Sequence, residues 1–310
     1  MKEYLEHQPH EAHGYPDRIE IKERIRTMMN LIMKRRTFLT HSGAALGGWL
    51  FTCGCSSTSP LPGGSRTGMT RDRPGSGATR KPHLVTLSFD DGFKKSFTRT
   101  AEICEKYKLS ACLNIVAAGF PDAGYVNEYT RNSPWGDFVL WNELQRRGHE
   151  IMPHGYRHEN LQKVSFEEGQ ELVRRCLGVF LEKLEGFDPK QAIFNFPYNA
   201  STPELEHWLP TQVRAFRTGY AALNPLPHPG QVKLTCNSFG PGNAEAAIDR
   251  EIANLLARES GWLIFNTHGL DEEGWGPIRA AYLEGLLERL LAIDTVEILP
   301  AGRALAKHAS

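Results

Sequence analysis

The sequence predicts an α/β protein whose parallel sheet closes as a barrel. Three observations carry that expectation. From residue 81 onward, short apolar runs rich in β-formers alternate with stretches of helical periodicity, giving roughly eight strand–helix repeats. Polar clusters stand directly after several of the strands, where a barrel gathers its loops on one face. No G-x-G-x-x-G follows the first strand, which counts against the nucleotide-binding form of the alternative, an open doubly wound sheet.

The elements follow in order. The run HLVTLSF (His83–Phe89) reads as a strand and 94–107 as a helix. Residues 111–116 form the second strand, and 141–147 a short helix stopped by Gly148. Glu150–Pro153 is the third strand. Residues 166–184 repeat Leu172, Cys176, Val179, Phe180 and Leu184 at helical spacing. Residues 192–196 form a strand, and 203–209 a helix opened by Pro203 after Thr202. Strands are expected at 215–219, 231–236, 262–267 and 296–299, and helices at 244–258 and 278–291.

Of the 310 residues, 40% are hydrophobic and 23% charged, as in ordinary soluble domains. Lys plus Arg equals Asp plus Glu at 36 each, and no basic stripe is interleaved with aromatics, so nucleic acid is not expected as a partner. Cys104, Cys112, Cys176 and Cys236 lack the paired spacing of a structural zinc site and read as buried free thiols; export would allow one disulfide.

The first eighty residues read differently. Arg35 and Arg36, followed by Thr37-Phe38-Leu39 and a short apolar run, resemble a twin-arginine export signal over 33–58. The charged segment 1–32 lies upstream, which suggests that translation starts at Met33 or nearby at Met28 or Met29. Cys53 or Cys55 is a candidate for lipid attachment, the one route to a membrane here. Residues 59–80, rich in Ser, Pro, Gly and Arg, read as a disordered linker. Residues 81–306 make the catalytic domain, and the protein is expected to be exported to the periplasm or beyond.

The chemistry clusters at strand ends. The first strand runs into Asp90-Asp91-Gly92, the third into His154-Gly-Tyr-Arg-His158, the fourth into Asn195-Phe196-Pro197-Tyr198, and the 262–267 strand into His268-Gly269. His154 and His158, four apart, face one way on a helical turn and can share a metal; a carboxylate from another strand completes a two-His, one-Asp set with open positions. Two adjacent carboxylates at a buried strand end need a cation or a proton between them.

Taken together, S-F-D-D-G, H-x3-H, F-x-x-P-Y and a late strand ending in His resemble the polysaccharide deacetylases, the NodB-homology domain of carbohydrate esterase family 4. The resemblance covers about residues 81–300. It implies a distorted (β/α)7–8, TIM-barrel-like α/β fold. It also implies Asp90 as general base; Asp91, His154 and His158 as ligands of a divalent metal, by preference zinc, with cobalt or another divalent ion as alternatives; the Tyr198 backbone N–H as an oxyanion donor; and His268 as general acid. The substrate it implies is an acetylated poly- or oligosaccharide. Family members often carry Arg two residues before the motif Pro, where Asn195 stands. Asn195 can hydrogen-bond Asp90 without charge, and Arg217 is the candidate to supply the charge. Trp275, and less so Trp135, are candidates for stacking on a sugar ring.

Three other readings stand beside this one. A carbohydrate-binding protein on the same scaffold would hold metal and sugar without releasing acetate. A non-haem iron oxygenase shares the ligand types but uses a different spacing and fold. A hydrolase of a small amide would keep the fold and change the substrate. No G-x-S-x-G elbow is present to suggest a serine nucleophile.

Overall fold

The computed structural model describes residues 81–119, 133–219 and 223–307. The chain divides into the units Met1–Gly77 and Ala78–Ser310. The expected extension, export signal, lipidation cysteines and linker lie outside the described residues. Among those described, no helix is long and apolar enough to cross a membrane.

Strand β1 (His83–Phe89) is the centre of a mostly parallel sheet. It pairs along its whole length with β9 (Gly261–Thr267), at Ser88 and Phe89 with β2 (Cys112–Ile115), and at its start with β10 (Val296–Ile298). β2 continues to β3 (Glu150–Pro153). A second sheet runs β4 (Ile193–Asn195), β5 (Ala215–Arg217), β7 (Lys233–Leu234). β8 (Asn237–Ser238) returns the chain to β9 in parallel, and β6 (Leu223–Asn224) is the antiparallel exception. The barrel is therefore distorted. No backbone ladder joins β3 to β4 among the described residues. Side chains span that gap instead: Asn195 Nδ2 donates to Pro153 O at 3.3 Å, and His154 Nδ1 donates to Asn195 O at 2.9 Å.

Every residue of β1 and β9 is buried, because helices cover the sheet outside and side chains fill it inside. Outward residues Val85, Leu87, Phe89, Leu113, Ile115, Phe194, Phe216, Leu263 and Phe265 belong to one large core cluster. That cluster includes the apolar faces of α1 (Lys94–Lys106), α3 (Phe166–Lys183), α5 (Ala244–Leu256) and α6 (Ala280–Leu291). Two shorter helices, α2 (Phe138–Arg146) and α4 (Pro203–Trp208), complete the outer layer. Inward residues form a second, smaller cluster of Leu84, Cys112, Ile193, Ala215, Leu234, Trp262 and Ile264. Further along the same strands, by four residues in β1 and two in the others, the inward positions become polar: Ser88, Asn114, Asn195, Arg217 and Asn266, all buried. The interior thus passes from an apolar floor to a polar layer beneath the strand ends.

The floor is closed by α7 (Ala301–Lys307), whose Ala301, Ala304 and Leu305 join the inner cluster. Glu150, at the start of β3, holds it there by accepting from the N–H groups of Gly302 (2.9 Å) and Arg303 (3.1 Å). Trp262 Nε1 donates to Thr86 Oγ1 at 2.9 Å, and Thr86 Oγ1 to Leu299 O at 2.7 Å, so both of these buried donors are satisfied.

The elements differ from the sequence reading in four places. α2 begins at Phe138 rather than 141, because Asp137 caps it by accepting from Leu140 N–H at 3.1 Å. α6 begins at Ala280 rather than 278, because Ile278 bridges Leu270 and donates to Gly269 O. The strand expected at 231–236 is two residues long, and the chain then moves to β8 on the other sheet. α7, with two-residue β6 and β8, is too short for periodicity to show. Cys104, Cys112, Cys176 and Cys236 are buried free thiols.

Two measurements check the framework. Replacing Glu150 by Ala orphans two helix-end amides and is expected to cost about 1–3 kcal/mol by urea unfolding, with Glu150→Gln costing less. Glu105 is held at about 2 by hydrogen bonds from Arg147, against the opposing effect of burial, and from His149. Its folded-state pKa lies below the ordinary 4.5, so this cluster's stabilisation is complete above that value and fades as pH falls toward 2. Urea midpoints of wild type and Glu105→Gln are expected to converge over that window.

Candidate active site

The polar ends of β1, β2, β4, β5 and β9 meet around Asp90, which is 1% exposed. Four donors reach its carboxylate. Asn114 Nδ2 (2.7 Å) and Arg217 Nη1 (3.1 Å) bond Oδ1, while Arg217 Nη2 (2.5 Å) and Asn266 Nδ2 (2.8 Å) bond Oδ2. Arg217 is itself 2% exposed and also donates to Ser88 Oγ at 2.8 Å. Burial alone would raise the Asp90 pKa, but the Arg217 guanidinium outweighs it and holds the group well below the usual carboxylate range. The same pairing raises the Arg217 pKa against its own burial. Asp90 is a permanent anion at working pH.

Asp91 is the next residue, yet it faces the same space. In a continuing strand its side chain would point to the opposite face. Its φ of 86°, followed by Gly92 at 105°, breaks the alternation. Left-handed backbone is uncommon outside glycine, and Asp and Asn are among the residues that tolerate it. The His154–His158 segment is corrected similarly: it is a loop, not a helical turn. Gly155 (φ 78°) and His158 (φ 63°) bend it so that both rings converge, their centroids 5.1 Å apart. A side chain at Gly155 would put Cβ 2.8 Å from Pro197 Cγ, so glycine lets this loop rest on the Pro197 turn.

Asp91 Oδ1 lies 3.4 Å from His154 Nε2 and 3.3 Å from His158 Nε2. The three donor atoms lie within 4.8 Å of one another, and all three residues are buried. This set fits a divalent cation. Ligands bound tetrahedrally at about 2.0–2.2 Å stand about 3.4 Å apart. The carbonyl facing His154 Nδ1 puts the proton there, which turns the Nε2 lone pair toward the Asp91 carboxylate. A lone pair facing a carboxylate is repulsive until a cation lies between them. Burial, opposed by Asp91, lowers the His158 pKa and favours the neutral, ligating form. For Asp91, burial raises the pKa, but the neighbouring histidines outweigh it and keep the group ionised.

Tyr198 and His268 stand at the rim. Tyr198 (φ 57°) and Asn199 (φ 50°) are successive left-handed residues in a tight turn over Pro197–Asn199, and the Tyr198 ring lies 4.6 Å from that of His158. His268 follows β9, half-buried, its ring edge-on to Trp275 at 5.2 Å. Its Nδ1 is buried and has no hydrogen-bond partner among the described residues. The loop beyond it is pinned to the start of α1, where Glu273 accepts from Ser96 N–H at 2.7 Å. Trp135 packs on Phe93 with centroids 4.5 Å apart.

One expectation changes in detail. Asn195 does not touch Asp90: its Nδ2 donates to Asn114 Oδ1 (2.9 Å), Ile193 O and Pro153 O, so it reaches the carboxylate only through Asn114. Arg217 makes the direct contact, from β5. Sequence reading passed over Ser88, Asn114 and Asn266. Their signal was present as single polar residues near the ends of otherwise apolar strands.

The buried ion pair yields a stability test. Arg217→Met strands the Asp90 charge and is expected to cost about 3–5 kcal/mol by urea unfolding. Adding Asp90→Asn removes that charge and should recover much of the loss.

Residues 77–224 match the family model described as Polysaccharide deacetylase. No match was found among curated proteins. Among solved structures, a protein from Mycobacterium smegmatis assigned as a polysaccharide deacetylase is 17% identical, with 76% of this chain and 92% of that one covered at a TM-score of 0.53. The Xyl-CE4 domain of a multidomain xylanase from the hindgut metagenome of Trinervitermes trinervoides is 16% identical, covering 72% and 90% at 0.48. A family 4 acetyl xylan esterase from Clostridium thermocellum, in complex with a cobalt ion, is 19% identical, covering 72% and 91% at 0.48. Motif order and family model agree: residues 77–224 of this chain are similar to the polysaccharide deacetylases.

Proposed function

We propose that this chain is a metal-dependent hydrolase that removes acetyl groups, N- or O-linked, from a carbohydrate polymer outside the cytoplasm. The observation that carries the reading is the buried Asp91–His154–His158 set beside an Asp90 kept ionised by Arg217. The three residues would hold a divalent ion, zinc by preference. When bound, such an ion supplies positive charge at the acyl oxygen and makes water more acidic.

The remaining chemistry belongs to side chains and backbone. Asp90 accepts a proton from the attacking water; because it is so weak a base, that water must already be acidified. The Tyr198 N–H would donate to the developing oxyanion. His268 would protonate the departing amine or alcohol. The polar layer of Asn114, Asn195 and Asn266 keeps Asp90 in place without adding charge. Support for a substrate outside the cytoplasm comes from the Arg35-Arg36 signal-like segment; attachment through Cys53 or Cys55 would keep the protein at a membrane.

One observation favours a second reading, a carbohydrate-binding scaffold without turnover. The four donors on Asp90 occupy about as many sites as a carboxylate offers, leaving little room for a proton. Acetate release separates the two. The purified protein is offered acetylated glucosamine oligomers, peptidoglycan and acetyl-xylan as isolated, after chelation, and after zinc or cobalt is restored. Acetate that disappears with chelation and returns with metal is the expected result; metal-loaded protein that releases none selects the binding scaffold. His154→Ala and His158→Ala are each expected to weaken zinc binding at least tenfold in calorimetric titration, independently of turnover.

A further inference from the structure

We propose that Thr218, with Asn199, is a positioning clamp that holds the Tyr198 amide in the site; the proposal rests on the deacetylase reading. Tyr198 and Asn199 are adjacent, non-glycine and both left-handed. Such conformations are strained and persist only where the surroundings over-determine them. Asn199 carries a dense restraint. The Asn199 carbonyl accepts from Gly219 N–H at 2.9 Å and from the Thr218 hydroxyl at 3.0 Å, both at the end of β5. Its side-chain oxygen accepts from the Cys236 thiol at 3.4 Å. Asn199 is 8% exposed and Thr218 1%, so water does not offer a ready substitute.

The clamp is anchored beyond Thr218. Thr218 Oγ1 is 2.8 Å from Ser201 Oγ, and Ser201 Oγ donates to Glu206 Oε1 at 2.6 Å. Glu206 Oε2 takes the Lys233 ammonium at 2.6 Å. With the Ser201 proton on Glu206, the Thr218 proton is shared between the Asn199 carbonyl and Ser201 Oγ. The hydroxyl therefore ties the Tyr198 turn to α4 and β7. The end of β5 serves both halves of the site: Arg217 holds Asp90, and the next residue holds the turn that carries Tyr198.

Thr218→Val keeps the shape and removes the hydroxyl; Thr218→Ser keeps the hydroxyl. In metal-loaded full-length protein, Thr218→Val is expected to lower kcat for acetate release about tenfold, with KM and zinc affinity unchanged. Thr218→Ser should recover most of it. Asn199→Gly, which adopts the left-handed turn without strain, should recover part of it in the Thr218→Val background. In parallel, the assigned Tyr198 amide cross-peak of 15N-labelled protein should move in Thr218→Val and return in Thr218→Ser. A lowered unfolding midpoint with unchanged kcat and an unmoved Tyr198 cross-peak overturns the clamp. If wild type releases no acetate, the deacetylase reading fails, and the cross-peak alone decides the clamp. Should Thr218→Val not fold, Asn199→Ala takes its place with the same expected readouts.

Discussion

The site is organised around one buried ion pair. Asp90 and Arg217 are contributed by β1 and β5, which share no ladder, and they meet in the interior with almost no solvent contact. Neither charge can be stranded there without a penalty of several kcal/mol. The neighbourhood is therefore committed to them. Asn114, Asn266 and Ser88 point inward because the carboxylate and guanidinium need partners. Asn195 points inward because Asn114 in turn needs an acceptor satisfied. The polar layer is a consequence of the pair, and the apolar floor beneath it keeps the pair dry.

The second constraint is geometric. A β-strand delivers one inward side chain every second residue, which is too sparse to build a three-ligand set beside a carboxylate. The chain gains density by leaving the strand conformation at each mouth. Asp91, His158, Tyr198 and Asn199 all take positive φ, and all lie within the same cluster. At Asn199 the hydrogen bonds that offset the strain come from the end of β5. The missing ladder between β3 and β4 fits the same pattern. There, His154 donates a ring N–H to the Asn195 carbonyl and Asn195 donates its side-chain amide to the Pro153 carbonyl, so side chains of the site bridge the two strands.

Much of this was legible before any coordinates. The alternation of apolar strands and amphipathic helices marked nearly every element, because burial imposes a period of two or 3.6 over enough residues to be read. The motif residues Asp90, Asp91, His154, His158, Tyr198 and His268 were named from their places at strand ends. Less legible were elements too short for a period, such as α7, and the hydrogen-bonded supports. A lone Asn in a strand carries no local sign of whether it faces a carboxylate or a carbonyl. The helical reading of His154–His158 failed for a related reason. A spacing of four fits a helical turn and an equally compact loop, and Gly155 resting on Pro197 favours the loop.

The sequence by itself determined the class of fold, the end of the barrel where chemistry gathers, and the residue types that gather there. Those depend on local periodicity and on the ends of single strands. Only the tertiary structure decided that Arg217 rather than Asn195 meets Asp90, and that Asn195 acts through Asn114. It also decided that Thr218 and Cys236 reach Asn199. Those choices depend on which strands lie side by side and on how far each is advanced in the sheet, and they join residues tens to more than a hundred positions apart in the chain.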